Sequence, residues 1–175
     1  MASAEPTVDV EFRVARAEES GLEPASVDLV TVAQALHWFD VDAFFAEASR
    51  VLKRNGVLAF WVYHNCRVGP DCDQIIDAIF GKVDAFWPPE RDIVENEYPD
   101  VVMPFTEIST GKFSMTTEWT ADNALNYMRT WSATRRYLAE HGDDPCDEFV
   151  DELRSRWGAG ARTVSWPLVL RVGRK

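Results

Sequence analysis

The spacing of hydrophobic positions changes several times along this chain of 175 residues. Val8 to Ala15 reads VDVEFRVA, in which Val8, Val10, Phe12 and Val14 alternate with polar residues; this predicts a strand with one buried face. Ala17 to Ser26 is acidic and punctuated by Gly21, Pro24 and Ser26, so it reads as a loop or a short turn of helix. Val27 to Ala35, VDLVTVAQA, is nearly continuous in apolar and β-branched residues, the pattern of a strand buried on both faces of a parallel sheet. His37-Trp38-Phe39-Asp40 follows as a loop. Asp40 or Asp42 then caps a helix in which Phe44, Phe45, Ala48, Val51 and Leu52 form one apolar stripe. Lys53 and Arg54 suit the negative end of that helix, and Asn55-Gly56 supplies a left-handed stop. Val57 to Tyr63 is a second buried strand. Strand, helix and strand with a tight return make a right-handed parallel βαβ unit.

The remainder is less regular. Asp71 to Phe86 carries Ile75, Ile76, Ile79, Phe80 and Val83 at helical spacing, and Trp87-Pro88-Pro89 stops it. Pro89 to Pro104 is charged and irregular, and Phe105 to Thr117 alternates loosely as a strand. Thr120 caps a helix running to about Ala139, with Leu125, Met128, Trp131 and Leu138 inward. Asp144-Pro145 starts another, with Phe149, Val150, Leu153 and Trp157 inward. Thr163 to Val172 alternates as a last strand, in which Pro167 implies an edge or a bulge. The pattern gives one α/β domain over residues 1–175, with a parallel sheet, helices on both faces and a C-terminal strand joining antiparallel.

Composition narrows the partners. Lys and Arg total 18 against 29 Asp and Glu, a net charge of −11 that opposes binding to nucleic acid or an anionic membrane. The apolar fraction of 46% excludes a disordered chain, and no apolar run approaches the roughly 20 residues that span a bilayer. Cys66, Cys72 and Cys146 are odd in number and lack histidines at ligand spacing, so no metal site is expected and reduced thiols in a cytoplasmic protein are. Met1 to Thr7 has neither a basic nor an apolar leader segment.

Ligands of open α/β sheets sit beyond the carboxyl ends of the strands. After Val8–Ala15 come Arg16, Ala17, Glu18 and Glu19. After the second strand come Gln34, Ala35, Leu36, His37 and Trp38, and after the third Tyr63, His64 and Asn65. His37 is the candidate catalytic or substrate-contacting residue, because an imidazole at the mouth of a sheet moves protons near neutral pH. The same residue also suits a plainer role, bonded to a loop carbonyl and packed on Trp38.

VEFRVARAEESGLEPASVDLVTVAQALHWFD, followed by EASRVLKRNGVLAFWVY, resembles the second half of a class I S-adenosylmethionine-dependent methyltransferase. The closer likeness is to the small-molecule branch that includes trans-aconitate methyltransferase, and MTTEWTADNALNYMRTWSATRRYL and VSWPLVLRVGRK resemble that branch's C-terminal half. The resemblance implies a truncated Rossmann-like sheet. It places Ala17, Glu18, Gln34 and Ala35 on the cofactor side, and His37, Trp38 and Tyr63 on the side of a small-molecule acceptor. One departure is large. The family's glycine-rich cofactor turn has no counterpart here, since the only GxG is Gly158-Ala159-Gly160, after a helix, and the family's first two βα units have none either. The expectation is therefore weak or lost binding of S-adenosylmethionine and impaired methyl transfer, the alternative being a non-catalytic oligomeric remnant that acts by binding without cofactor. A strand lacking its neighbours also leaves an open edge and an apolar face, which predicts a homodimer.

Overall fold

The computed structural model describes residues 10–89, 91, 98 and 101–175. Its centre is a five-stranded sheet. β1 (Val27–Ala33) runs parallel to β2 (Leu52–Tyr63), and β2 runs antiparallel to β5 (Arg162–Arg174). β3 (Thr106–Ile108) and β4 (Phe113–Trp119) share the other edge of β5, pairing antiparallel with its C-terminal end and its N-terminal half respectively. The helices are α1 (Val41–Val51), α2 (Pro70–Lys82), α3 (Ala121–Arg129), α4 (Ser132–His141) and α5 (Val150–Trp157). The α/β fold with an antiparallel C-terminal strand is the expected one.

α1 is the crossover between the parallel strands. Of the two candidate caps it uses Asp40, whose carboxylate accepts the Ala43 N–H at 3.1 Å. Phe44, Phe45, Ala48 and Val51 face inward, and burying each phenylalanine contributes about 1.5–3 kcal/mol. The helix stops at Val51, earlier than the lysine and arginine suggested, and β2 begins at once. Asn55 does take the left-handed conformation (φ 65°), inside an irregular stretch where the pairing jumps from Val27 with Leu52 to Leu29 with Val57.

Period-two alternation on β2 and β5 sorts the core into two clusters on opposite faces of the sheet. Leu58, Phe60 and Val62 are buried beneath α1 with Val32, Leu36, Tyr98 and Met103. Val164 and Trp166 face the other way, into a cluster with Ile76, Leu125 and Leu153 from α2, α3 and α5. This second cluster covers only the N-terminal half of β5.

Several expectations are corrected. Val8 and Asp9 lie outside the described residues, and residues 10–15 form no strand; they are exposed coil, with Phe12 66% exposed. An alternating segment needs a neighbouring strand and a face to cover, and among the described residues it has neither. Val27–Ala35 ends as a strand at Ala33 and is not buried on both faces, since Leu29 is 56% exposed. β1 is the terminal strand of the sheet, and no described helix covers its outer face. The segment Phe105–Thr117 is two strands, and the Thr120–Ala139 helix is broken at Thr130-Trp131. There the Thr130 hydroxyl donates to the Tyr127 carbonyl at 2.6 Å, and Trp131 is extended (ψ 140°). Asp144-Pro145 precedes a 3₁₀ turn rather than the helix itself, and α5 starts at Val150. Pro167 escapes its missing N–H by position: the β2 ladder ends at Tyr63 with Leu168, and pairing resumes only at Arg67 with Ser165.

Candidate functional site

The carboxyl ends of the two parallel strands open into two adjoining chambers. The first, about 220 Å³, is lined by Gln34, Tyr63, His64 and Asn65 from the strand ends. Trp87, Arg91, Tyr127, Thr130, Trp131 and Ser132 complete it. The second, about 110 Å³, adds His37, Trp38 and Pro88 and shares Gln34, Trp87, Arg91 and Ser132 with the first. The helix break builds the far wall: an uninterrupted helix would not place Thr130, Trp131 and Ser132 consecutively at the mouth.

Gln34 is the pivot. Its φ of 52° is left-handed, a conformation that costs a non-glycine residue about 1 kcal/mol. The turn lets its side chain continue the sheet, with Nε2 donating to the Tyr63 carbonyl and Oε1 accepting the Tyr63 N–H, both at 3.1 Å. Its backbone N–H donates to the Trp61 carbonyl at 3.0 Å. The Gln34 amide thus holds the two strand ends together, and both its polar ends are engaged by protein.

His37 lies in a 3₁₀ turn, Leu36–Trp38, immediately beyond β1. It is half-buried rather than sealed in the core. Its Nδ1 is 3.3 Å from the Tyr98 hydroxyl, and its ring lies 4.7 Å from that of Trp38. Burial pushes the Tyr98 hydroxyl above its ordinary pKa, so the His37 partner stays a neutral phenol at physiological pH. Trp38 is 57% exposed at the rim. The strand they follow is an edge strand among the described residues, not a central one. Tyr127, in the opposite wall, has its hydroxyl pushed up by burial too and accepts the Trp166 Nε1–H at 3.3 Å.

The cofactor-side candidates are placed differently. Ala17 and Glu18 form a tight turn bridged by Arg16 and Glu19, and neither lines a chamber. The Glu18 carboxylate accepts the Asp40 N–H at 2.9 Å, which ties this turn to the loop carrying His37 and Trp38. Hydrogen bonds from its own N–H and from Asp40 hold that carboxyl below its usual range. Ala35 is half-buried against the α1-side cluster and lines neither chamber.

Sequence reasoning missed Trp87, Arg91 and Ser132, all shared by both chambers. The Arg91 guanidinium stacks over the Trp87 ring at 4.1 Å from its centroid. The Trp87 Nε1–H is buried and has no hydrogen-bond partner among the described residues, a donor left for a ligand or water. Trp87 read only as a helix stop, and Ser132 as helix interior. Cys66, Cys72 and Cys146 are all fully buried, and burial raises the Cys66 and Cys146 thiols to about 12. The described residues hold no cluster of metal-ligating side chains, and no described helix is long and apolar enough to cross a membrane.

A methyltransferase-domain family model matches residues 1–60. A solved structure assigned as a type II methyltransferase from Anaeromyxobacter dehalogenans is 39% identical, with a TM-score of 0.90, over 98% of this chain and 74% of that one. A Dictyostelium discoideum protein classed as a methyltransferase is 30% identical over 86% of this chain, which spans 59% of the relative's length. A Saccharomyces cerevisiae protein classed as an S-adenosylmethionine-dependent methyltransferase is 41% identical over a shorter stretch, 25% of this chain and 15% of its own.

Proposed function

The chain belongs to the class I S-adenosylmethionine-dependent methyltransferases, and from that premise we propose that the paired chambers receive a small-molecule methyl acceptor, as in the branch containing trans-aconitate methyltransferase. The observation that carries this reading is the convergence of Gln34, His37, Trp38 and Tyr63 at the carboxyl ends of parallel strands, where ligands of α/β sheets bind. Trp87 Nε1–H is the donor for an acceptor oxygen, and Trp131 and Tyr127 supply aromatic walls. Methyl transfer depends mainly on aligning acceptor and methyl, so the work of these residues is positioning and exclusion of water. His37, fixed beside Tyr98, is the group placed to take a proton from an acceptor hydroxyl or amine.

We propose further that this chain by itself binds S-adenosylmethionine weakly. What supports that reading is where the candidate polar groups are spent. The Glu18 carboxylate accepts from Asp40 and Arg16, and the Gln34 amide is bonded to the Tyr63 backbone. Among the described residues no glycine-rich turn follows a strand to receive a carboxylate. Glu18 and Gln34 are thus engaged by protein rather than offered to a cofactor. Two absent charge-assisted contacts amount to about 3–6 kcal/mol, which weakens binding roughly a hundredfold or more.

The test is calorimetric titration of the chain with S-adenosylmethionine and S-adenosylhomocysteine, with the Anaeromyxobacter relative as reference. The expected result is a dissociation constant at least about a hundredfold above the reference. A low-micromolar constant for this chain would overturn the proposal and point to a cradle built from other residues.

A further inference from the structure

The geometry points to an aryl hydroxyl as the methyl acceptor, with its ring in the larger chamber and its oxygen held by Arg91 as the proton leaves. This deepens the reading of the two chambers as an acceptor site and rests on it. Charge narrows the class first. Among the described residues no carboxylate lines either chamber, in a chain that carries 29 acidic residues. Arg91 lines both, its guanidinium 4.1 Å from the Trp87 ring centroid and 5.7 Å from that of Phe80. α4 begins at Ser132, which also lines both chambers, and no side chain caps it, so the positive end of a helix borders the same space. A protonated amine meets two positive fields there, whereas an oxygen that gains negative charge is favoured. A guanidinium has five N–H donors, so Arg91 can bond protein and ligand at once.

His37 then separates the oxygen acids. An imidazole takes protons at about pH 6.5, and an aliphatic hydroxyl resembles water, at about 15.7, so transfer between them is uphill by about nine units. One guanidinium does not close that gap. A carboxylic acid has already lost its proton at neutral pH and gives His37 nothing to take. A phenol ionises at about 10, as tyrosine does, which is about 3.5 units above the imidazole. A positive charge within about 4–6 Å lowers an acid by about 1–3 units, and the helix end adds to it, so the gap is nearly closed. In the step, the phenolic O–H breaks towards the imidazole, which becomes imidazolium, and the electron pair stays on the oxygen beside Arg91. That charged oxygen is the nucleophile.

The walls fit a single ring. An apolar cavity of about 150 Å³ holds a benzene, so the chamber of about 220 Å³ takes one ring with a substituent and the chamber of about 110 Å³ does not. In the larger chamber Tyr127 and Trp131 meet edge to face, with centroids 6.1 Å apart and planes at 85°. They make a corner in which a third ring stacks on one and meets the other edge-on, the two arrangements aromatic pairs prefer. Arg91 and Trp87 line both chambers, and His37 lines the smaller. A ring seated at the corner therefore presents its hydroxyl to the junction that Arg91 and Trp87 share, with His37 beyond it.

4-Nitrophenol tests this, because it absorbs visible light as the phenolate and not as the phenol. Equilibrium dialysis against the chain reads its binding, and absorbance across pH reads the ionisation of the bound probe. The expected result is a bound probe with an ionisation constant at least about tenfold above that of free probe, one pKa unit. Arg91→Gln should lose that shift, and Arg91→Lys, which keeps the charge, should retain part of it; both should melt as cooperatively as the parent. In competition, phenol should displace the probe, and cyclohexanol and benzylamine should not. Three results overturn the aryl hydroxyl while leaving the acceptor site standing: binding without a shift in ionisation, a full shift in Arg91→Gln, or displacement by benzoate at lower concentration than by phenol. Dialysis that shows no binding of any of these compounds overturns both.

Discussion

Glu47 fastens the segment carrying Ala17 and Glu18 to the body of the fold, and Glu47→Gln is the perturbation that reads its contribution. The Glu47 side chain is 9% exposed on α1. Its Oε1 accepts the Ser20 N–H at 2.9 Å and the Ser20 hydroxyl at 2.5 Å, while Arg50 donates to both carboxylate oxygens at 2.7 and 2.9 Å. Arg50 reaches on to the Leu22 carbonyl at 2.7 Å. The Arg50 bonds first, then the Ser20 hydroxyl, hold the Glu47 carboxyl at about 2 rather than 4.5. A carboxyl depressed that far contributes about 3 kcal/mol, present above its unfolded value and lost as pH falls from about 5 through 2. The neutral amide that replaces the carboxylate has one acceptor oxygen, so it cannot take both Arg50 donors and leaves the guanidinium half-paired. The expected loss is about 2–3 kcal/mol at pH 7, read from urea midpoints at unchanged slope. The acid limb of the stability profile between pH 5 and 2 should flatten in the variant. Faster hydrogen exchange at the Ser20 amide localises the effect to this segment. A variant within about 0.5 kcal/mol of the parent at pH 7, or an acid limb parallel to the parent's, would refute the reasoning.

Two further substitutions probe the frame of the site. Gln34→Ala removes both side-chain bonds to the Tyr63 backbone and leaves alanine at a φ of 52°; thermal unfolding should show a loss of about 1–3 kcal/mol, and a neutral result would mean that water replaces the amide. Gly173→Ala places a methyl against the Met103 sulfur and 3.0 Å from Phe105 Cβ; the expected cost is about 1–3 kcal/mol, partly relieved by Met103→Ala in the same chain, and additive losses in that double variant would count against direct contact.

What could be read from the sequence, and what could not, follows from how each residue is held. The βαβ unit was legible because its period switches from two to 3.6 and back over a short span, and because Asp40 stands where a cap must stand. His37 and Tyr63 are legible as strand-end residues by position alone, and the structure places each in the lining of a chamber there. The break at Thr130-Trp131 was not, since Trp131 fits the helical stripe and a lone threonine does not end a helix; it is fixed by a threonine hydroxyl bonding back to Tyr127 and a second, at Thr134, bonding to Met128. That break puts Ser132 into the site, so one missed break cost part of the wall. The buried identity of β1 was misjudged for a different reason. An apolar run records what a strand is built to touch, and the described residues cover only one of its faces. Glu18 and Gln34 show the remaining limit. Both were read as groups offered to a ligand, and both are bonded to backbone far along the chain, Glu18 to residue 40 and Gln34 to residue 63. No local window holds both partners of such a bond. A polar side chain at a strand end is therefore legible as important before it is legible as free, and the difference decides whether it binds a cofactor or braces the loop that surrounds one.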